Sequence, residues 1–461
     1  MKATVLGSVL ATALLHATFV RADEPQARTY TLEQAIGEAL ANHPALRTAS
    51  ADEASADARV TEAEANKLPD LGVSAQLNRS TSNTIPGAFV PIQGFVPISG
   101  PTRAKSLDSG TWQTGAALWA SWDVLSFSRQ AADVDVALAT RSEASARTAA
   151  RRLDVAYRAA DSFLLLLEAR AAVRAAKANV DRAQVLLTVT RSLVDQNLRP
   201  GADAARSEAE LANALTAVAR AEQAREVRRA QLAEALGNAS LEVEPNAEHL
   251  LDAVDAPPRV PSTASPEHPE LRQSDALIAR ATETERLVRV EYLPRLVVVA
   301  SLWARGSGIF DSPADGLAPD TANWLAGGTL TWSILDIPTI RARARAASAS
   351  RAAAVARRDE VSLSISGQLA SGKAVLRGAA AVAQQTPKAL AAARAAEEQA
   401  SARFKTGLTP VVDLADAQRV LAQAEIDDAV ARLEVRRALL AIARASGDLG
   451  PFLRQSRTGG P

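Results

Sequence analysis

The sequence predicts a mainly α-helical chain that carries a membrane β-barrel portion, built from one helix–strand–strand–helix–helix unit used twice. Three observations predict it. An internal repeat keeps its order along the chain, a seven-residue apolar ladder runs through a very long helical segment, and the candidate strands alternate and end in tryptophan.

The repeat is the firmest of the three. Asn42-His43-Pro44-Ala45-Leu46-Arg47 returns as Glu267-His268-Pro269-Glu270-Leu271-Arg272, and Leu68-Pro69-Asp70-Leu71 as Leu293-Pro294-Arg295-Leu296, both at an offset of 225 residues. Trp122-Asp123-Val124-Leu125 returns as Trp332-Ser333-Ile334-Leu335, and Leu198-Arg199-Pro200-Gly201-Ala202-Asp203 as Leu408-Thr409-Pro410-Val411-Val412-Asp413, both at 210. The offset shortens between the paired strands, where the first copy has the longer loop. Four anchors in one order mark a duplicated unit.

The first copy, 23–237, is expected to form a helix over 31–67, strands over 70–79 and 112–122, and helices over 127–196 and 201–236. The second, 266–446, is expected to form helices over 266–291, 339–406 and 411–446, with strands over 296–305 and 323–333. That makes four long-helix columns and four strands. Thr31-Leu32-Glu33-Gln34 and Ser265-Pro266-Glu267 serve as helix starts. Residues 238–265, rich in Pro, Glu and Asp, are expected to form a linker or equatorial segment between the copies. Residues 447–461 form a C-terminal tail, whose last ten or so residues, ending Gly459-Gly460-Pro461, read as disordered.

Residues 1–22 read as an export signal: Lys2, an apolar stretch from Val5 to Val20, and a small-residue cleavage site at Val20-Arg21-Ala22. A retained anchor is the other reading, although the stretch is short and holds His16. No other segment has 18 consecutive apolar residues, so any later crossing of a membrane must use strands.

The 52 basic and 52 acidic residues cancel, which leaves no global field for nucleic acid. Arg341-Ala342-Arg343-Ala344-Arg345 and Arg151-Arg152 are read as solvated helix faces. Cysteine is absent, which excludes disulfides, thiolate metal sites and cysteine nucleophiles. Aromatic residues are only 4 %, and the alanine-rich, charge-alternating chain favours long helices packed at close range.

The helix over 127–196 carries Leu166, Val173, Val180, Leu187 and Val194 at strict seven-residue spacing, and Leu153, Tyr157, Ala160, Leu164, Leu167 and Ala171 in steps of three and four. That is a coiled-coil seam. Such a helix reaches roughly 100 Å. A filamentous scaffold would show the same period, so the strands must decide.

One face of the first strand reads Leu71, Val73, Ala75, Leu77; the other reads Gly72, Ser74, Gln76. The second strand sets Trp112, Thr114, Ala116, Leu118, Ala120 and Trp122 on one face. In the second copy Leu296, Val298, Ala300 and Leu302 share a face, and Trp324 and Trp332 bracket Ala326, Gly328 and Leu330. Trp112, Trp122, Trp324 and Trp332 are thus candidates for the aromatic girdles of a membrane barrel, against the alternative of core residues in a soluble sandwich. Four strands cannot close a barrel, and open edges are not tolerated in lipid. The missing strands then come from further copies, and three copies would give twelve. The loop over 80–110, with Pro86, Phe89, Pro91, Phe95, Pro97 and Pro101, is an irregular outer loop with apolar tips.

In this order, Thr31-Leu32-Glu33-Gln34-Ala35, Asn42-His43-Pro44, Leu68-Pro69, the Trp-x-(Val/Ile)-Leu strand ends and Gly407-Leu408-Thr409-Pro410-Val411-Val412-Asp413-Leu414-Ala415-Asp416 resemble the TolC-type outer-membrane efflux proteins. The resemblance covers roughly 30–450. It implies a homotrimer in the Gram-negative outer membrane, with a 12-strand barrel held by the lipid and a 12-helix periplasmic tunnel, ringed at mid-height by a small mixed domain. It implies a passive duct without cofactor, of an efflux or type I secretion system. A periplasmic adaptor protein would meet the inner helix turns and dock in turn on an inner-membrane pump.

Those turns are Asn197-Leu198-Arg199-Pro200 and Gly407-Leu408-Thr409-Pro410, in which proline presets the backbone. An exposed leucine in each is a plausible anchor for the adaptor, unless these are ordinary hairpin turns. Asp413 and Asp416, three apart at a helix start, share one face, and a trimer would gather six carboxylates at the narrow end. The family places an acidic selectivity ring there. Acidic stabilisation of a helix start is the other reading. Some family members lock the tip with an arginine and a tyrosine bridging to the carboxylate matching Asp203, which joins the gate on that resemblance. Here those partners are Thr409 and Phe404, with Arg199 and Arg403 nearby, so the latch does not carry over.

No phosphate loop, nucleophile elbow or HExxH is present, and His43, His249 and His268 have no metal-ligand spacing. The chain is not expected to be an enzyme. A secreted or periplasmic coiled-coil scaffold or an adhesion module without a pore remains the alternative.

Overall fold

The computed structural model describes residues 28–81, 110–252, 260–261, 263–308 and 312–457. The export signal and nearly all of the loop over 80–110 lie outside them.

In chain order the elements are β1 (Arg28–Tyr30), α1 (Leu32–Asn42), α2 (Pro44–Ala65), β2 (Asp70–Thr81), β3 (Gly110–Asp123), α3 (Phe127–Asp195), α4 (Gly201–Ala235) and β4 (Val243–Pro245). Then come α5 (Pro269–Val290), β5 (Arg295–Ser307), β6 (Thr321–Thr331), α6 (Ile337–Lys405), α7 (Val411–Ser446) and α8 (Gly450–Arg457). β2, β3, β5 and β6 form one antiparallel sheet in that order, so both tryptophan-ended hairpins share it. β1 and β4 make a separate parallel pair. Among the described residues no helix is long and apolar enough to cross a membrane.

Three expectations are corrected. The single helix over 31–67 is two, broken at His43. Pro44 has no N–H to donate and forces the residue before it to be extended, so His43 sits at φ −64°, ψ 126° and caps α2 by accepting from the Ala45 N–H at 3.1 Å. The helix expected from 266 starts at Pro269 for the same reason, with His268 as its cap. The 238–265 segment supplies β4 and a turn over Glu248–Leu251, and buries Val243 and Leu250. The tail is not disordered where described. α8 forms, Phe452 is buried, and Ser456 accepts at its carbonyl from His249 Nε2 at 3.0 Å.

The main core lies at mid-height. Phe163, Leu164 and Leu167 of α3 meet Leu232 and Leu236, Leu433, Leu440 and Ile442 of α7, and Ile365 and Leu369 of α6, with α1 and α8 packed around them. Ala35, Ala39, Ala159 and Ala160 are fully buried there, and their small side chains let the helices approach closely. Along α3, Leu166, Val173 and Leu187 of the seven-residue ladder are buried, and Val180 and Val194 half-buried. A second, smaller core of Leu186, Phe404, Val411, Leu414 and Ala415 seals the far end of the helices. α3 and α6 are 69 residues each, about 100 Å of rod. Among the described helices only α6 has an interior proline, Pro387, which leaves the carbonyl one turn earlier without its helical donor.

Candidate functional site

The candidate site has two ends, the four-stranded sheet and the helix turns furthest from it. On the sheet, the register puts Leu71, Val73, Ala75 and Leu77 of β2 beside Ala120, Leu118, Ala116 and Thr114 of β3. The row continues through Ala300, Leu302 and Ala304 of β5 to Ala326, Trp324 and Ala322 of β6. One unbroken apolar face therefore crosses all four strands. It is open, with Leu71 74 % and Val73 81 % exposed. The opposite face is more polar but mixed: it carries Ser74, Gln76, Asn78, Gln113, Ser121, Ser301, Asn323 and Thr329 together with Trp119, Val297, Val299, Trp303 and Leu325. Apolar outside and polar inside is the pattern of a lipid-embedded barrel.

Trp112, Trp122, Trp324 and Trp332 all lie on the apolar side; Trp122 and Trp332 stand at the helix end of the sheet and Trp112 at the other, while the register sets Trp324 mid-strand in the row of Leu302 and Leu118. Trp112 and Trp122 are ten residues apart, about 25 Å once strands tilt by about 40°, the height of a barrel's apolar band. Arg79 stands 5.6 Å over the Trp112 ring at the outer level. At the inner level, Trp122 Nε1 donates to the Lys67 carbonyl at 3.2 Å, and Trp332, just beyond the end of β6, donates to the Tyr292 carbonyl at 3.3 Å. Two tryptophans escaped the sequence reading. Trp119 and Trp303 point to the other face, and the Trp119 ring fills the space above Gly72, where an added Cβ would come within 2.4 Å of it. The signal was parity: both are odd-numbered in strands whose even residues face out.

At the far end, α3–α4 and α6–α7 turn alike. Asn197 at φ 58° and Gly407 at φ 76° take the left-handed position after each long helix. Leu198 N–H reaches back to Leu193 O at 2.9 Å, and Leu408 N–H to Arg403 O at 2.9 Å. Pro200 and Pro410 then cap α4 and α7 in extended conformation. Leu198 and Leu408 project outward, 65 % and 77 % exposed.

Arg199 holds the turns together. Its Nη2 donates to the Thr409 carbonyl at 2.9 Å, its Nη1 lies 3.6 Å from Asp203 Oδ2, and its guanidinium stands 5.1 Å over the Phe404 ring. Phe404 is only 2 % exposed. Arg199 and Asp203 therefore meet, while Asp413 and Asp416 lie exposed on α7, Asp416 paired with Arg419 at 3.0 Å. Among the described residues no cluster of three metal-ligating side chains occurs.

The family model described as outer membrane efflux protein matches residues 35–238 and 260–448. The chain belongs to that family. It is an outer membrane efflux channel and not an enzyme. No curated protein sequence matches it. Solved structures share its fold. The CmeC outer membrane channel of Campylobacter jejuni is 15 % identical with TM-score 0.74, covering 93 % of this chain and 90 % of its own. The open state of the MtrE outer membrane channel of Neisseria gonorrhoeae is 19 % identical with TM-score 0.70, covering 90 % and 89 %. The outer membrane protein VceC of Vibrio cholerae is 16 % identical with TM-score 0.70, covering 90 % and 96 %.

Proposed function

We propose that this efflux protein is the exit duct of a three-part efflux or type I secretion assembly in the Gram-negative outer membrane. Three copies close a 12-strand barrel, and their helices form a 12-helix periplasmic tunnel. The observation that carries this is the sheet: four strands with one continuous apolar face, and with β2 and β6 as its outer strands. Backbone groups at such edges find no water in lipid, so the edges must pair with other copies.

At the inner end, Leu198 and Leu408 offer apolar knobs to a periplasmic adaptor, which passes on what an inner-membrane pump supplies. Asp413 and Asp416 form the selectivity ring, because both carboxylates are exposed on the first turns of α7 beside the turn. Asp203, drawn to Arg199, serves closure and not the ring. Purified protein in planar bilayers should conduct ions, and multivalent cations should block it. Asp413→Ala with Asp416→Ala should abolish the block. Block that persists removes the ring, and a protein that never conducts removes the duct.

A further inference from the structure

β4 and the turn over Glu248–Leu251 pack on one side of the long helices. On α3, Arg170 donates to the Pro245 carbonyl at 2.5 Å and Arg174 to Glu248 at 2.6 Å. On α7, Arg432 and Arg436 donate to the carbonyls of Leu251 and Leu250 at 3.1 and 2.6 Å. Asp161 lies nine residues before Arg170, and Ala441 nine after Arg432, which is two and a half helical turns in each case. Both therefore point directly away from these packed pieces. A step of seven residues, close to two turns, sets Glu168 on the side of Asp161 and Glu434 on the side of Ala441, each nearer the tip. In the tunnel proposed above the packed pieces ring the outside, so this second side is the tunnel wall.

That wall is hollowed. A recess of about 510 Å³, the size that holds a drug-sized molecule, is lined by α3, α6 and α7. Gly367 and Ser371 of α6 and Ala441 of α7 give it small walls, and a Cβ added to Gly367 would meet nothing within 4 Å. Its charged groups divide unequally. Arg444 stands 4.7 Å over the Tyr157 ring and reaches Asp154 at 3.3 Å. Arg437 is held between Asp161 at 2.9 Å and Glu434 at 2.7 Å. Both arginines are thus engaged by the chain's own acids. Glu168 is not: its Oε2 is sealed from water with no hydrogen-bond partner among the described residues. Arg437 and Arg228 attract it from beyond hydrogen-bond reach, against repulsion from Glu434 and Asp161.

We propose that this recess is a wall site for organic cations, where cargo of that class rests on its way along the tunnel. This rests on the duct proposed above and adds what its wall selects. The flat body of such a molecule lies along Gly367, Ser371 and Ala441, and its positive end meets Glu168 beside Glu434 and Asp161. Glu168 is half-buried, so a turn of its side chain brings the carboxylate to the recess. The cation then supplies the partner that this oxygen lacks, in a charge-assisted hydrogen bond. An anion would have to displace Asp161, Glu434 or Asp154 from the arginines they already hold.

Two xanthene dyes of opposite charge test this on the full-length protein in detergent. Pyronin, the cation, should bind about tenfold more tightly than fluorescein, the anion. Ser371→Trp, which fills the recess from an exposed position, should abolish pyronin binding. Glu168→Gln should weaken it about tenfold. Glu248→Gln, the same loss of charge on the opposite side, should leave it unchanged. Equal binding of the two dyes, or pyronin binding that survives Ser371→Trp (as when the dye enters the detergent), overturns the site. The chain has no cysteine, so Ser371→Cys reports the recess without background. In a planar bilayer a cationic methanethiosulfonate should modify it and shift the reversal potential toward anion passage. A conducting channel that is not modified, or is modified without that shift, places the recess outside the tunnel and overturns the site while the duct stands. A protein that never conducts overturns the duct itself.

Discussion

Arg199 donates to the carbonyl of Thr409 at 2.9 Å, fastening the turn that ends the first helix pair to the turn that ends the second. The acceptor is backbone, so Thr409→Ala should leave the fastening intact. Arg199→Ala should cost about 1.5–3 kcal/mol for a hydrogen bond from a charged donor. It also gives up the cation–ring contact with Phe404, and Arg199→Lys should fall between because ammonium lacks the planar fork. Hydrogen exchange of the amides over 405–412 tests this: faster exchange is expected in Arg199→Ala and unchanged exchange in Thr409→Ala. Equal protection in both variants would refute the fastening.

Two left-handed glycines should be intolerant. Gly237 (φ 84°) and Gly447 (φ 90°) follow α4 and α7, and an added Cβ would lie 2.8 Å from His43 Cα and from His268 Cδ2 respectively. Alanine at either pays about 1–2 kcal/mol for backbone conformation before any clash. Gly367→Ala, in the interior of α6 with open space around it, should instead stabilise by about 0.5–1 kcal/mol. Thermal denaturation in detergent should rank the three in that order; a Gly447→Ala protein as stable as the parent contradicts the fit.

The sheet's two faces predict opposite tolerance. Leu118→Arg, mid-strand on the apolar face, should cost about 2–4 kcal/mol of insertion, whereas Gln76→Arg on the polar face should be near neutral. Refolding from urea into lipid vesicles measures both, and similar losses would mean the faces are wrongly assigned.

His268 should make stability pH-dependent. It is buried among α5 and α7 residues, with Nδ1 accepting from the Glu270 N–H and Nε2 on the Arg444 carbonyl. Burial lowers its pKa from the ordinary 6.5, with Glu270 opposing. The unfolded chain then binds the proton first. The neutral ring's contribution is complete above about pH 6.5 and fades as pH falls through the lowered value. Glu168, whose pKa burial raises, acts in the opposite sense. The melting temperature should drop on acidification below about pH 6.5, and His268→Gln should flatten that drop. An unchanged slope excludes His268 as its source.

The repeat made most of the fold legible, because each half had to satisfy the same packing and so kept Trp122 and Trp332, Pro44 and Pro269 in matching places. Long helices were visible by period, and strand faces by alternation. The missed pieces were those without a period to read. β1 and β4 are three residues each, and their pairing is long-range. The break at His43 was hidden by helical sequence on both sides, although Pro44 stated it. α8 is eight residues beside a glycine-rich end. At the tip, the turn chemistry was readable, but the partner of Arg199 was not, since the acceptor is a carbonyl that any residue at 409 would supply.

The two halves agree in register but differ in stiffness. α3 runs its whole length with a complete ladder of backbone donors, while Pro387 removes one from α6, beside the Thr386–Asp428 hydrogen bond that ties it to α7. Load on the tip therefore meets a stiff column and a compliant one in every chain, and any bending concentrates in the second half.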